Sequence, residues 1–362
     1  MSKIAADVVF DGHNDVLLRL FRKNRPHSNL GVEHEFINGD GEGQMDLPRM
    51  IKGRMGGGMF AIFIPSDDRI GRVDAPDPAD KPTYDEPLPT QMTADQALPV
   101  ALAMAAILFR IERASKGTFK VCRTAAEIRT CLATGVVAAV LHLEGAEPID
   151  ASLHSLDVLY EAGLRSIGPV WSRPTLFGHG VPFRYPSTGD TGPGLTDLGK
   201  SLVRVCDERG IAIDLSHLNE KGFWDVAKIS RQPLIATHSN VHAICPHSRN
   251  LTDQQLAAVA ASGGMVGLNF AVSFLNPDGR RNADTSLELM LRHLDHLIAK
   301  LGVDHVGLGS DFDGAMIPRA IGDVSGLPKL TAAMRKHGYD DATLAKLTHG
   351  NWLAVLERTW GS

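Results

Sequence analysis

Eight short, apolar, β-prone runs recur along this chain with helical patterns between them, and few architectures accommodate that alternation. They lie at residues 8–15, 58–65, 136–144, 164–171, 211–217, 234–238, 265–270 and 305–311. Strands alternating with helices signal repeated βα units and a parallel sheet. Such a sheet needs both faces covered, and closing it into a barrel removes its edges. Eight units therefore predict an α/β fold of the (β/α)8 TIM type, with a site at the C-terminal ends of the strands. An open doubly wound sheet is the competing architecture, but the Gly-x-Gly-x-x-Gly turn of a dinucleotide site is missing after the first run. The 362 residues suit one barrel domain over 1–362.

The intervening helices carry their own punctuation. Over 196–209, Thr196 is placed as N-cap, Leu198, Leu202 and Val205 recur at helical spacing, and Gly210 supplies the stop. Residues 251–261 and 287–301 read the same way, the latter ending at Gly302. Two stretches fit the repeat poorly. Residues 66–96 hold too many prolines and charges for a buried element and are expected as a lid or, by preference, a surface insertion. Residues 178–194, containing Gly-His-Gly and three prolines, form a loop after a strand, where barrel enzymes place substrate contacts.

Composition narrows the partners. The net charge is −5 and no Lys/Arg run forms a phosphate-binding stripe, so nucleic acid is not expected. The N-terminus lacks a secretory signal pattern, no uninterrupted apolar stretch reads as a membrane span, and the C-terminus lacks a lipid-anchor tail. Cys122, Cys131, Cys206 and Cys245 show neither Cys-x-x-Cys spacing nor a disulfide-framework density, and are expected as reduced thiols. A cytoplasmic protein with no membrane partner is the resulting expectation.

Chemistry concentrates where the runs end. His13 and Asp15 close the first, Glu144 the third, His217 the fifth, His238 the sixth and Asp311 the eighth. Residues two apart on a strand share a face, so His13 and Asp15 point the same way, offering a borderline nitrogen and a hard oxygen to one cation. A single strand-end histidine is ordinarily a hydrogen-bonded rim residue. Two such histidines with three carboxylates at other strand ends need partners, because uncompensated burial of ionisable groups costs several kcal/mol. A barrel would bring all of them to one rim, which points to a metal centre. His142 faces the interior one layer lower as core or support, and His247 and His349 carry no comparable argument.

With these residues in place the chain resembles the membrane dipeptidase (renal dipeptidase) family of zinc metallopeptidases, within the amidohydrolase-like barrels. The matching segments are Asp11-Gly12-His13-Asn14-Asp15, Glu144-Gly145, Asp214-Leu215-Ser216-His217, Thr237-His238-Ser239, Ser248-Arg249-Asn250 and Gly309-Ser310-Asp311-Phe312-Asp313-Gly314. They run in family order over nearly the whole chain. The resemblance implies two Zn2+ ions, one held by His13 and Asp15, the other by His217 and His238, with Glu144 bridging them. Two cations sharing one water would stabilise hydroxide at neutral pH. The resemblance further assigns proton transfer to Asp311 and recognition of the substrate's C-terminal carboxylate to Arg249, a role suited to a guanidinium fork; Asp313, which shares the strand face of Asp311 if the strand continues, is the second choice for the proton. A dipeptide substrate, tolerance for a C-terminal D-residue and a homodimer follow by the same analogy.

One departure from the family pattern stands out. Better-known members carry a His in a Thr-His-Ser context at the end of the fourth strand, thought to polarise the substrate carbonyl, where this chain has Val170-Trp171-Ser172. Either Trp171 takes over packing or donation there, or His179, between two glycines, swings in. The expected activity is hydrolysis of dipeptides by a metal-bridged hydroxide. The alternatives are an amidohydrolase acting on N-acyl amino acids or another small acyl substrate such as a lactone, and an inactive metal-binding scaffold.

Overall fold

The structure, a computed structural model, describes residues 4–23, 30–66 and 81–361. Its strands in chain order are β1 (Val9–Asn14), β2 (Met55–Phe63), β3 (Tyr84–Asp85), β4 (Phe119–Val121), β5 (Val137–Glu144) and β6 (Leu164–Ile167). β7 (Arg184–Tyr185), β8 (Ala212–Ile213), β9 (Ile235–Ala236), β10 (Met265–Asn269) and β11 (Val306–Gly309) complete them. Eight of the eleven coincide with the eight predicted runs.

Those eight form the barrel. β1, β2, β5, β6 and β8 pair in that order, all in parallel, and β9, β10 and β11 form a second parallel ladder. Two short seams close the circle, the parallel bridges Asp214 to Ile235 and Asn14 to Phe312. At the second seam Asp311 N–H also donates to the His13 carbonyl at 3.0 Å. Closure excludes the open doubly wound sheet and brings the first and last strand ends, His13 and Asp311, side by side.

Inside, Phe10, Met59, Val140, Ile235 and Met265 pack on Trp352 in one apolar cluster. Trp352 comes from the C-terminal helix Asn351–Trp360 and donates Nε1–H to the Leu308 carbonyl at 3.0 Å. Outside, the helices take the predicted positions. In Asp197–Arg209 the Thr196 hydroxyl accepts from Gly199 N at 3.0 Å, and Gly210 stops the helix in left-handed geometry (φ 64°). Asp253–Ala261 and Leu287–Leu301 follow the caps Thr252 and Ser286.

The helix Ala94–Ala114, of 21 residues, is long and apolar enough to cross a membrane by length and composition, although it is no uninterrupted apolar stretch. Its Ala97, Ala101, Met104, Leu108 and Ile111 are buried in the protein core, and Pro99 and Arg110 interrupt its apolar run. Of residues 66–96, positions 67–80 lie outside the described residues, but β3 pairs antiparallel with β7 and so joins the two irregular stretches above the strand ends. Tyr84 and Glu86 there line the cavity at the barrel mouth, while residues 81–83, 85, 87, 90 and 91 beside them are exposed. All four cysteines are free and buried, with Cys122 Sγ 3.8 Å from Cys131 Sγ.

Candidate metal centre

At the C-terminal rim the strand-end residues converge on one oxygen. Glu144 Oε1 lies 3.5 Å from His13 Nε2, 3.0 Å from His217 Nε2 and 3.4 Å from His238 Nε2. His13 Nε2 is also 3.4 Å from Asp15 Oδ2. The ligand atoms of Glu144, His217 and His238 lie within 4.8 Å of one another, and so do those of His13, Asp15 and Asp311. Two ligand sets therefore share one carboxylate between them. The structure adds Asp311 to the His13 and Asp15 side, close enough to serve as a ligand there as well as a proton acceptor.

The imidazoles are aimed by their other nitrogens. Ser172 Oγ sits 2.9 Å from His217 Nδ1, and Thr237 Oγ1 sits 2.8 Å from His238 Nδ1. Thr237 in turn donates to Asp214, whose carboxylate also accepts from the Ser216 hydroxyl. A histidine ligand held through its second nitrogen is the usual arrangement around a bound metal. The sequence segments contained Ser172, Asp214 and Thr237, but nothing in their spacing showed which imidazole each would hold. His142 proves to be a supporting residue, with Nδ1 2.9 Å from Ser166 Oγ and Nε2 3.5 Å from Asp214.

The donor set fits a pair of divalent cations. His13 is fully buried and neither of its ring nitrogens is hydrogen-bonded among the described residues, and His217 Nε2 and His238 Nε2 face each other at 3.1 Å. Burial, reinforced by the charges of Asp15 and Asp311 against the attraction of His13, raises the Glu144 pKa to about 7. Burial and the Asp15 charge raise Asp311 to about 6. Burial acts against a protonated His13, yet Glu144 and Asp15 hold its pKa well above the ordinary value. Burial drives His217 and His238 well below theirs, helped by Arg249 and His13. Crowded carboxylates beside neutral imidazoles are the state that positive charge at their centre relieves.

Asp311 adopts left-handed backbone geometry (φ 61°), and its Oδ2 accepts from Asn269 Nδ2 at 3.0 Å. Asp313 instead accepts from Arg19 Nε at 3.1 Å and from Gln44 N at 2.6 Å, which anchors the loop and leaves it off the centre. A Cβ on Gly314 would lie 2.1 Å from Asp15 Oδ2 and 2.4 Å from Asp311 Oδ1, so a side chain there is incompatible with the carboxylate positions.

A cavity of about 330 Å3 opens above the centre, a size suited to a small molecule. Trp171 lines it, with its ring 4.8 Å from that of Phe63 and 5.6 Å from that of His217. His179 is not among the lining residues. The backbone bridge Gly180 to Leu218 brings Gly180 against Trp171, and alternation turns His179 the other way, its Nδ1 3.5 Å from the Gly194 carbonyl. Arg249 does not line the cavity either. Its guanidinium donates to the carbonyls of Ser216 and His238, bracing the backbone that carries both histidines, and lies 3.3 Å from His217 Nε2. Residues that sequence reasoning passed over do line it, among them His247, Tyr84, Phe183 and Arg281. Tyr84 comes from the two-residue strand β3 and the other three from loops, where no periodicity announces them.

Comparison with known proteins agrees with this geometry. Residues 3–360 match the family described as "Membrane dipeptidase (Peptidase family M19)". A metallo peptidase from Rhodobacter sphaeroides, solved with a phosphinate mimic of the dipeptide L-Ala-D-Ala, superposes with a TM-score of 0.93 at 58% identity, covering 97% of this chain and 99% of its own. Dipeptidase AC, a family M19 metallo peptidase, gives 0.91 at 57% identity over 98% and 99% of the two chains. An uncharacterised protein from the pqqA 5′ region of Klebsiella pneumoniae is 49% identical over 70% of this chain and 94% of its own length. The chain belongs to the membrane dipeptidase family of metallopeptidases, peptidase family M19.

Proposed function

We propose that the protein is a zinc dipeptidase that holds two ions and hydrolyses the peptide bond of dipeptides, including those ending in a D-residue. The observation that carries this reading is the approach of three imidazole Nε2 atoms to Glu144 Oε1, with Asp15 and Asp311 completing the second ligand set. Imidazole and carboxylate donors suit Zn2+. The similarity to an enzyme solved with a mimic of L-Ala-D-Ala supports the substrate class and the D-residue.

His13, Asp15 and Asp311 would hold one ion, His217 and His238 the other, and Glu144 would touch both. When bound, such a pair supplies an acidified water and polarises the scissile carbonyl. The chain's own residues then handle the proton. Asp311, tethered by Asn269, accepts it from the attacking water and returns it to the departing amine. Ser172 and Thr237 keep the Nε2 lone pairs of His217 and His238 aimed at the centre. Trp171 and Phe63 wall off one side of the cavity from water.

The test is the initial rate of zinc-reconstituted protein on L–L and L–D dipeptides together with the matching N-acetyl amino acids. Hydrolysis of the dipeptides alone, with two zinc ions per chain, is the expected result. Hydrolysis of only the acylated compounds would replace this reading with the N-acyl amidohydrolase, and full metal content with no hydrolysis of either set would favour the inactive metal-binding scaffold.

A further inference from the structure

The turn that carries Asp311 is gripped from outside the barrel rim by a side chain that the reaction described above does not use. Asp311 and Asp313 both adopt left-handed backbone geometry (φ 61° and 64°), which residues bearing a Cβ keep where their neighbours enforce it. On the barrel side those neighbours belong to the end of β1. Asp311 N–H donates to the His13 carbonyl, and the Phe312 carbonyl accepts from Asp15 N–H at 2.8 Å. On the far side stands Gln44. Its Oε1 accepts from Asp313 N–H at 2.7 Å, its Nε2 donates to the Ala315 carbonyl at 3.0 Å, and its backbone N–H donates to Asp313 Oδ1 at 2.6 Å.

Gln44 is itself held in place. Its carbonyl accepts from Val324 N–H at 3.0 Å. Arg19, from the helix Val16–Arg22, pairs with Asp40 at 2.7 Å and with Asp313 at 3.1 Å, tying the segment before Gln44 to the same turn. A Cβ on Gly43 would lie 2.3 Å from both Arg19 Cδ and Asp313 Oδ1, so the chain passes the turn at a distance that glycine permits.

What this grip controls lies between its two side-chain contacts. Gly314 sits between Asp313 and Ala315, and its backbone rests against the carboxylates of Asp15 and Asp311, as the closeness of its ideal Cβ to both oxygens shows. The Asp311 carbonyl accepts from Gly314 N–H at 3.1 Å and from Ala315 N–H at 3.0 Å, which closes the turn on Asp311 itself. Releasing Asp313 and Ala315 would therefore unseat the backbone that backs the Asp311 carboxylate. A group that handles a proton loses rate steeply when it is displaced by even about 1 Å. An amide suits the task, because it accepts and donates at once and adds no charge beside Asp15, Asp311 and Asp313.

We propose that Gln44 is a positioning residue, holding the turn 311–315 so that the Asp311 carboxylate stays at the metal centre in the orientation that takes up and returns the proton. The proposal rests on the dipeptidase reading for its effect on rate, whereas its effect on metal binding is read without it.

The test uses Gln44→Met, which keeps the length of the side chain and loses both amide contacts. It is assayed at saturating zinc on an alanyl-alanine dipeptide, alone and combined with Asp311→Asn. The Met variant is expected to lower kcat about tenfold or more and to leave KM within about threefold. The same substitution should lower kcat less than about twofold where Asp311 is already Asn, because residues acting as one unit are not additive. A side chain that merely stabilised the fold would lower it equally in both backgrounds. Unchanged kcat, a loss carried by KM, or full additivity with Asp311→Asn would overturn the proposal. Should the Met variant fail to fold, Gly43→Ala, whose methyl group would press on Asp313 from the other side, carries the same comparison. If the wild type hydrolyses no dipeptide, the dipeptidase reading fails and a zinc titration against a chelator decides Gln44. Asp311 belongs to one ligand set, so weakening of one ion by about threefold or more with the other unchanged supports the proposal. Unchanged affinity, equal weakening of both ions, or a wild type that binds fewer than two ions refutes it.

Discussion

Replacing Glu144 by Gln should make the metal-free protein more stable at pH 8 while removing its ability to hold two metals. The carboxyl is buried and, without cations, its pKa is raised from 4.5 to about 7. A group whose folded pKa lies above its unfolded one takes up a proton on folding. Its stabilising contribution is complete below pH 4.5 and is lost as pH rises through 7. At about 1.4 kcal/mol per pKa unit, keeping Glu144 ionised at pH 8 costs the metal-free fold about 3 kcal/mol. Gln has the same shape and no charge, so its advantage over the wild type should be near zero at pH 4.5 and approach that figure by pH 8. The imidazolium of His13, which faces Glu144, loses its partner in the variant and makes the figure an upper bound. The assay is urea unfolding of chelator-treated protein at pH 4.5, 6 and 8, followed by tryptophan fluorescence. With zinc present the order should reverse, because only the wild type gains binding energy in the folded state. A Gln advantage that does not change with pH, or a variant less stable at pH 8 without metal, would refute the argument that burial of this carboxylate is held for the cations.

Three other substitutions probe separate parts of the centre. Asp311→Asn should keep at least the Glu144, His217 and His238 site filled, by metal analysis, and lower kcat by about 100-fold or more, the usual contribution of a positioned acid or base; wild-type turnover would remove Asp311 from the proton path. Ser172→Ala leaves His217 Nδ1 without its 2.9 Å partner and should weaken zinc binding about 10- to 100-fold in a competition titration against a chelator. Gly314→Ala drives a methyl group against Asp15 and Asp311, so circular dichroism should remain native while metal content and rate fall together.

Much of the centre was readable in the chain. The eight apolar runs were strands, and their ends carried His13, Asp15, Glu144, His217, His238 and Asp311, because a parallel barrel sends every strand's C-terminal end to one rim. The capping signal at Thr196 also acted as read, since a side-chain oxygen two or three residues from an open N–H is a local matter. Residues 66–96 were harder, because composition reports solvation of an isolated segment and not the antiparallel pairing of Tyr84–Asp85 with a strand a hundred residues later.

What depends on direction rather than position was decided by the tertiary structure. Arg249 sits two residues from His247; folding sets two of its guanidinium nitrogens on the Ser216 and His238 carbonyls, beside His217, and puts His247 in the lining of the cavity. His179 has glycines on both sides, yet backbone pairing with the His217 loop turns it outward while Trp171 keeps the wall. By itself the sequence determined the βα repeat and the identity of the strand-end ligands, because strand period and strand termination are local properties. Which nitrogen each imidazole presents, which side chains face the substrate and how the carboxylates of Asp15, Glu144 and Asp311 come to share one centre were decided only when the barrel closed, since each depends on contacts between residues far apart in the chain.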